Sequence, residues 1–243
     1  MYADADDVPR LILDAGTGLR ELPALLDGRP FDGTIVLSHL HWDHLQGLPF
    51  CPSVDRPDAR TDLLVPGADA FGLLAGAMSP PHFPIGPDGL LGRWRFRSAR
   101  AGVVAPGVTV APVAHKGGTT FGIRVELDGA RVVYLPDHAP SDASAVLLES
   151  AQALADGADV LLHDGQFLAS ERDTACAYGH ATVEDAMRFA DRCRVGMLVL
   201  THHAPGRTDD QLDAVRNAVP STPDGRPVRF ARQGDRLDVA AAA

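Results

Sequence analysis

The chain has 243 residues, 45% of them hydrophobic and 22% charged, with a formal net charge of -10. That much apolar material excludes a disordered chain, and no apolar run reaches the roughly 18 residues of a membrane span. So strong a negative balance also opposes binding to a long polyanion. The acidic opening, Met1-Tyr2-Ala3-Asp4-Ala5-Asp6-Asp7, is unlike the basic start of a signal peptide, so a cytoplasmic protein with no membrane partner is expected. Cys51, Cys176 and Cys193 are odd in number and far apart, which argues against a disulfide framework and against a thiolate zinc site. No break in composition divides the chain, and a single domain over residues 1–243 is the expectation.

Short β-rich runs bounded by turn residues predict strands at Arg10–Leu13, Thr34–Leu37 and Leu63–Val65. The proline-rich stretch Met78–Pro87 can be neither helix nor central strand, because proline removes a backbone donor and fixes φ, and a stiff loop is expected there. In Arg93-Trp94-Arg95-Phe96-Arg97 the alternation puts three arginines on one face of a strand and two aromatics on the other. This pattern fits an edge strand with a solvated face, or else a phosphate-steering strip. Further strands are predicted at Val108–Val113, Phe121–Leu127, Arg131–Leu135, Val160–Leu162 and Met197–Leu200. Helical patterns cover Ala143–Leu154, Val183–Arg192 and Thr208–Ala218, the second opened by Thr182 as N-cap with Asp185 at the third helical position. Strands come first and alternate with helices later, which predicts an α/β architecture with helices on outer faces. Apart from the alanine-rich tail there is no low-complexity tract and no internal repeat.

The chemistry is concentrated in Ser38-His39-Leu40-His41-Trp42-Asp43-His44, which follows directly on the strand Thr34–Leu37. Three imidazoles and a carboxylate within six positions would strand polar groups unless a cation collected them, and donors of this kind suit zinc, manganese or iron.

This His-x-His-x-Asp-His pattern resembles the signature of the metallo-β-lactamase superfamily, whose further stations are matched in order downstream. They are His115 in Val113-Ala114-His115-Lys116, Asp137 in Tyr134-Leu135-Pro136-Asp137, and His202 in Leu200-Thr201-His202-His203, each just after an apolar run. The resemblance implies an αββα sandwich of two central mixed sheets with helices on the outer faces. It also implies two divalent ions, zinc first and manganese or iron as alternatives. His39, His41 and His115 would hold one, Asp43, His44 and His202 the other, and Asp137 would bridge them; His203 is the alternative to His202. Asp14 stands where relatives keep an aspartate that braces the ligand loop, although a turn aspartate before glycine has the same local sequence.

None of the cysteines occupies the station that the true β-lactamases use, so antibiotic hydrolysis is not expected. The runs Val160-Leu161-Leu162-His163-Asp164-Gly165 and Tyr178-Gly179-His180-Ala181-Thr182 resemble the paired motifs of ribonuclease Z and related cyclic phosphodiesterases. In that branch a carboxylate orients a histidine. Here Asp164 replaces the family's glutamate and His180 is the histidine, while His163 is expected to be a neighbour without a catalytic role. A second departure is at the start, where the usual first hairpin is missing: either the start is truncated or misassigned, or one sheet edge is open.

The expected activity is therefore a binuclear metal-dependent hydrolase, a phosphodiesterase acting on a small, cyclic phosphodiester. Hydroxide held between the ions would be the nucleophile and His180 the general acid. Asp43, Asp164 and His180 are the catalytic candidates. Thioester or lactone hydrolysis is the alternative. The expected partners are a small-molecule phosphodiester and no long nucleic acid, and a homodimer is an oligomer open to the chain.

Overall fold

The computed structural model describes residues 1–3 and 7–239; residues 4–6 of the acidic opening and the alanines at 240–243 lie outside the described residues. The chain divides into two compact units, Met1–Arg100 and Ala101–Ala243.

The first unit is built on a mixed sheet in the order β1-β2-β3-β4-β5. Its strands are β1 (Tyr2–Ala3), β2 (Pro9–Leu13), β3 (Asp32–Val36), β4 (Arg60–Pro66) and β5 (Arg93–Ala99). β2 to β5 run parallel, and Ile12, Ile35 and Leu63 are buried with Phe31 and the α1 (Leu22–Leu25) residue Leu22 in the unit's core. Burial on both faces of parallel strands favours such unbroken apolar runs. The edge beside β2, expected to be open, carries β1 as a short antiparallel partner. β5 shows the predicted alternation: Arg93, Arg95 and Arg97 are exposed, while Trp94 and Phe96 stack at 5.9 Å on the inner side. Asp62, opposite Arg95 on β4, takes a bidentate ion pair from it and lies 3.9 Å from Arg97. Two of the three arginines are thus matched across the strands, which favours the edge-strand reading over a phosphate-steering strip. The helix α3 (Ala70–Ala77) was not anticipated, because its glycines and unbroken apolar run hide the helical period; Asp69 caps it by accepting from the Gly72 N–H at 3.0 Å. Met78–Pro87 carries no strand or α-helix, as expected.

The second unit has the sheet β12-β11-β10-β9-β8-β7-β6. β6 (Gly102–Ala105), β7 (Val108–Pro112), β8 (Phe121–Leu127) and β9 (Ala130–Leu135) form an antiparallel meander. The β8–β9 turn is Asp128-Gly129 with φ of 53° and 80°, as a two-residue hairpin loop requires. β10 (Val160–Asp164), β11 (Met197–Thr201) and β12 (Val228–Phe230) continue it in parallel. Helices α4 (Ala145–Ala155), α5 (Arg172–Tyr178), α6 (Val183–Arg192) and α7 (Asp209–Ala218) complete the unit, and α4 and α6 pack Ala151, Leu154, Ala186 and Phe189 against the strands. Cys193 belongs to this core, and burial pushes its thiol up to about 12, so it is an inert packing residue.

α6 begins with the expected capping box, in which the Thr182 hydroxyl accepts from the Asp185 N–H and the Asp185 carboxylate from the Thr182 N–H. Asp185 does more than cap. Its buried carboxylate also accepts from Ser141 Oγ at 2.7 Å, Arg172 Nη1 at 3.0 Å and Arg188 Nη2 at 2.5 Å. Burial works to raise its pKa, but the Ser141, Thr182 and Arg188 hydrogen bonds outweigh it and hold it at about 2. A folded-state value below the unfolded one stabilises above the unfolded pKa, and the gain is lost as pH falls towards 2. The linkage is about 2 kcal/mol, since each tenfold change in proton affinity corresponds to roughly 1.4 kcal/mol. Urea melts between pH 5 and pH 2 should show this extra acid sensitivity in the wild type and a shallower slope in Asp185→Asn; parallel slopes would contradict it.

Candidate metal centre

In the second unit, parallel pairing of β9, β10 and β11 brings three polar side chains out at one end of the sheet. Leu135 pairs with His163 and Asp164 with Thr201, so Asp137, Asp164 and His202 all emerge at the carboxyl edge, the usual place for a site in an open α/β sheet. His115 follows β7, which runs in the same sense as β9. Asp137 is buried, and each of its oxygens faces a different imidazole: Oδ2 is 3.3 Å from His115 Nε2 and Oδ1 is 3.3 Å from His202 Nε2.

The ring orientation of His115 is fixed from behind. Its Nδ1–H donates to the Gly179 carbonyl at 2.7 Å, which leaves the Nε2 lone pair facing a carboxylate oxygen. Acceptor against acceptor is repulsive unless a cation stands between them, so this donor pair fits a metal ion. Gly179 has φ of 79°, and a Cβ there would lie 2.8 Å from both Lys116 N and Lys116 Cβ; only glycine lets the end of α5 approach the His115 loop so closely.

The same logic is repeated in the first unit. β2 and β3 run side by side, and Asp14 and Ser38 emerge together. Asp14, in the left-handed region at φ 59°, accepts from the Ser38 N–H at 2.6 Å, the Ser38 hydroxyl at 2.8 Å and His44 Nδ1–H at 2.8 Å. With its proton given to Asp14, the Ser38 oxygen accepts from His39 Nδ1–H at 3.0 Å. Both imidazoles therefore present Nε2 as a lone pair, and that of His44 lies 3.3 Å from Asp43 Oδ2. The His39 ring is 4.4 Å from that of His41 and 4.2 Å from that of His44. Gly16 lets the Asp14 loop seat against this turn, since a Cβ would lie 2.0 Å from the Asp43 carbonyl oxygen. Asp14 is thus the brace of the ligand turn and not merely a turn residue.

Of the two late histidines, His202 is the one that faces Asp137, held at φ 54°. His203 stacks on Phe230 at 5.7 Å and donates from Nε2 to the Ala231 carbonyl at 3.3 Å, and burial lowers its pKa. Asp164 and His180 meet despite the shortened side chain: His180 Nδ1–H donates to Asp164 Oδ2 at 2.7 Å. Asp164 is wholly buried and also accepts from the backbone N–H groups of Gln166 at 3.0 Å and of His138 and Ala181 at 3.3 Å. Asp164, His180 and His202 offer donor atoms within 4.8 Å of one another, and the His180 and His202 rings stack at 5.1 Å.

His163 is packed away from this group, donating from Nδ1 to the Asp164 carbonyl and accepting from His138 Nδ1–H at 2.9 Å. Burial lowers the pKa of both imidazoles, so they are neutral and their tautomers are set by this chain of hydrogen bonds. His138 escaped the sequence reasoning; its only signal was its place next to Asp137.

Comparison with known proteins agrees with this arrangement. The family described as "Beta-lactamase superfamily domain" matches residues 9–203. The chain belongs to that superfamily. Ribonuclease Z of Mycobacterium tuberculosis is 36% identical over 208 residues, covering 80% of this chain and 75% of that protein. Among solved structures, the metallo-β-lactamase fold protein YhfI from Bacillus subtilis aligns with a TM-score of 0.63 at 20% identity, over 93% of this chain and 85% of that one. Zinc-bound PqqB from Methylobacterium extorquens aligns with a TM-score of 0.64 at 20% identity, over 97% and 86%. The fold is therefore the α/β metallo-β-lactamase fold, and the chain is a metal-dependent hydrolase whose histidine and aspartate clusters fit divalent metal. No helix among the described residues is long and apolar enough to cross a membrane.

Two substitutions remote from the metal test the bracing. Asp14→Ala should weaken metal binding by about 10–100-fold, the usual cost of losing a group that orients a ligand. Gly179→Ala should cost about 1–2 kcal/mol for the left-handed residue and also lower metal affinity by displacing His115. Competition against a chelating dye, with circular dichroism as the folding control, measures both; wild-type metal affinity in folded variants would refute the bracing.

Proposed function

We propose that the chain is a binuclear phosphodiesterase acting on a small, cyclic phosphodiester. As the superfamily resemblance implies, His39, His41 and His115 would hold one ion, Asp43, His44 and His202 the other, and Asp137 would serve both. The family match at residues 9–203 spans both compact units, which supports treating them as one hydrolase domain. Zinc is the proposed metal, since the PqqB relative carries it, and the cytoplasm the proposed compartment, in keeping with three free cysteines.

The observation that carries this reading is the His180–Asp164 pair beside His202. Divalent ions at such a donor set supply Lewis acidity towards phosphate oxygens and an activated water as nucleophile. The protein's own part is the proton at the leaving group. With Nδ1 committed to Asp164, only Nε2 of His180 can donate outward, and the buried carboxylate stabilises the imidazolium until the proton passes to the departing alkoxide. Because Asp164 is itself held by three backbone N–H groups, the imidazole is oriented before substrate arrives.

The leaving group separates this role from others. His180→Ala should lose roughly 10²–10⁴-fold on an alkyl phosphodiester, whose alkoxide needs a proton, and far less on a nitrophenyl diester, whose phenolate does not. Asp164→Asn should show the same selectivity in weaker form, with metal content unchanged. Equal losses on both substrates would remove the acid role, and turnover of lactones or thioesters in place of phosphodiesters would make this an acyl hydrolase.

Substrate size is a separate question, because the tuberculosis relative is named a ribonuclease. With a net charge of -10, counterion release gives this chain little purchase on a long RNA. Filter binding with transfer RNA should show only weak association, and submicromolar, steeply salt-dependent binding would contradict the small-substrate assignment.

A further inference from the structure

The turn that carries His39 to His44 is anchored on one side and open on the other. Leu45 and Leu48 are buried in the first unit's core, whereas Trp42 is 71% exposed and Phe50 is 70% exposed. Outward positions of so short an amphipathic segment are ordinarily polar, and two large rings there leave apolar area in water that a neutral substitution would have removed. Phe50 is nonetheless held in place, edge to face with Phe83 of the proline-rich loop at 5.8 Å and 87°. Trp42 has its backbone held within the same turn. It is the first residue of α2 (Trp42–Leu45), its carbonyl accepts from the Gln46 N–H at 2.8 Å, and its chain neighbours are His41 and Asp43. In sequence it stands between two residues that the proposed function places on metal.

We propose that Trp42, with Phe50 as a second ring, is a stacking surface for a planar aromatic group carried by the phosphodiester, a nucleobase. The proposal rests on the phosphodiester reading above for the chemistry at phosphorus, and extends it to the class of ester. An exposed aromatic ring stacks on a base of any sequence because every base has a π-face, and the loss on truncation is about 10-fold or more. Charge fits as well: a base is neutral, so an acidic protein can hold it where a longer polyanion is repelled.

The chain has two tryptophans, and Trp94 stacks on Phe96 inside the sheet, so Trp94→Phe leaves Trp42 as the sole indole reporter. Zinc-loaded protein of this background is titrated with adenosine 5′-monophosphate and with ribose 5-phosphate, followed by indole fluorescence and calorimetry. The nucleotide should quench the fluorescence and bind about 10-fold more tightly than the sugar phosphate. Trp42→Ala should erase that difference, with the loss falling on the nucleotide alone, while Trp42→Phe should keep most of it; zinc content and circular dichroism serve as folding controls. Equal affinities in the starting protein, or equal losses for both ligands in Trp42→Ala, would overturn the stacking role. Stacking with no cleavage of any phosphodiester would leave this surface standing and remove the proposed reaction, whereas cleavage of bis(p-nitrophenyl) phosphate without nucleotide preference would do the reverse.

Discussion

Three of the imidazoles in the metal-fitting clusters give up their Nδ1–H to a neighbour behind them: His39 to Ser38, His44 to Asp14, His115 to the Gly179 carbonyl. Everything at the centre depends on that. An imidazole is donor at one nitrogen and acceptor at the other, so fixing the proton on Nδ1 fixes the lone pair on Nε2. Where those lone pairs meet carboxylate oxygens at 3.3 Å, as for His115 with Asp137 and His44 with Asp43, the arrangement favours a cation over a proton. The orientation that suits a cation is thus set by groups outside the clusters that could hold one.

The same economy recurs one layer out. A single buried carboxylate, Asp164, orients His180 and is itself held by the backbone of the segment that follows Asp137 and of the segment that carries His180. A second, Asp185, ties Ser141 to Thr182 and to two arginines, and so fixes the distance between those two segments. Buried carboxylates are costly unless fully hydrogen-bonded, and both are. The rigidity this gives is what the proposed role of His180 as general acid requires, because proton transfer is sensitive to small displacements.

Surface charge is managed differently. The arginines of β5 are not gathered into a positive field: Asp62 answers Arg95 and lies near Arg97. Two large exposed side chains of the first unit, Trp42 and Phe50, are aromatic and lie in and just after the histidine-rich turn.

Local sequence pattern determined a good deal by itself. The histidine-rich turn and the capping box of Val183–Arg192 were legible as residue types at short spacing, whereas the later stations and the pairing of Asp164 with His180 were legible only through the resemblance to the superfamily. α3 and α5 were not, the first masked by glycine and the second too short to show a period. β6 and β12 are similarly brief. Only the tertiary structure shows that His202 faces Asp137 while His203 is turned onto Phe230 and the Ala231 carbonyl, nearly thirty residues away. It alone brought His138 against His163, covered the edge of β2, and set Gly179 behind His115. Backbone carbonyls do much of this work, and a carbonyl has no identity in a sequence; which one a side chain meets is decided by strand register and by where a glycine lets two segments close.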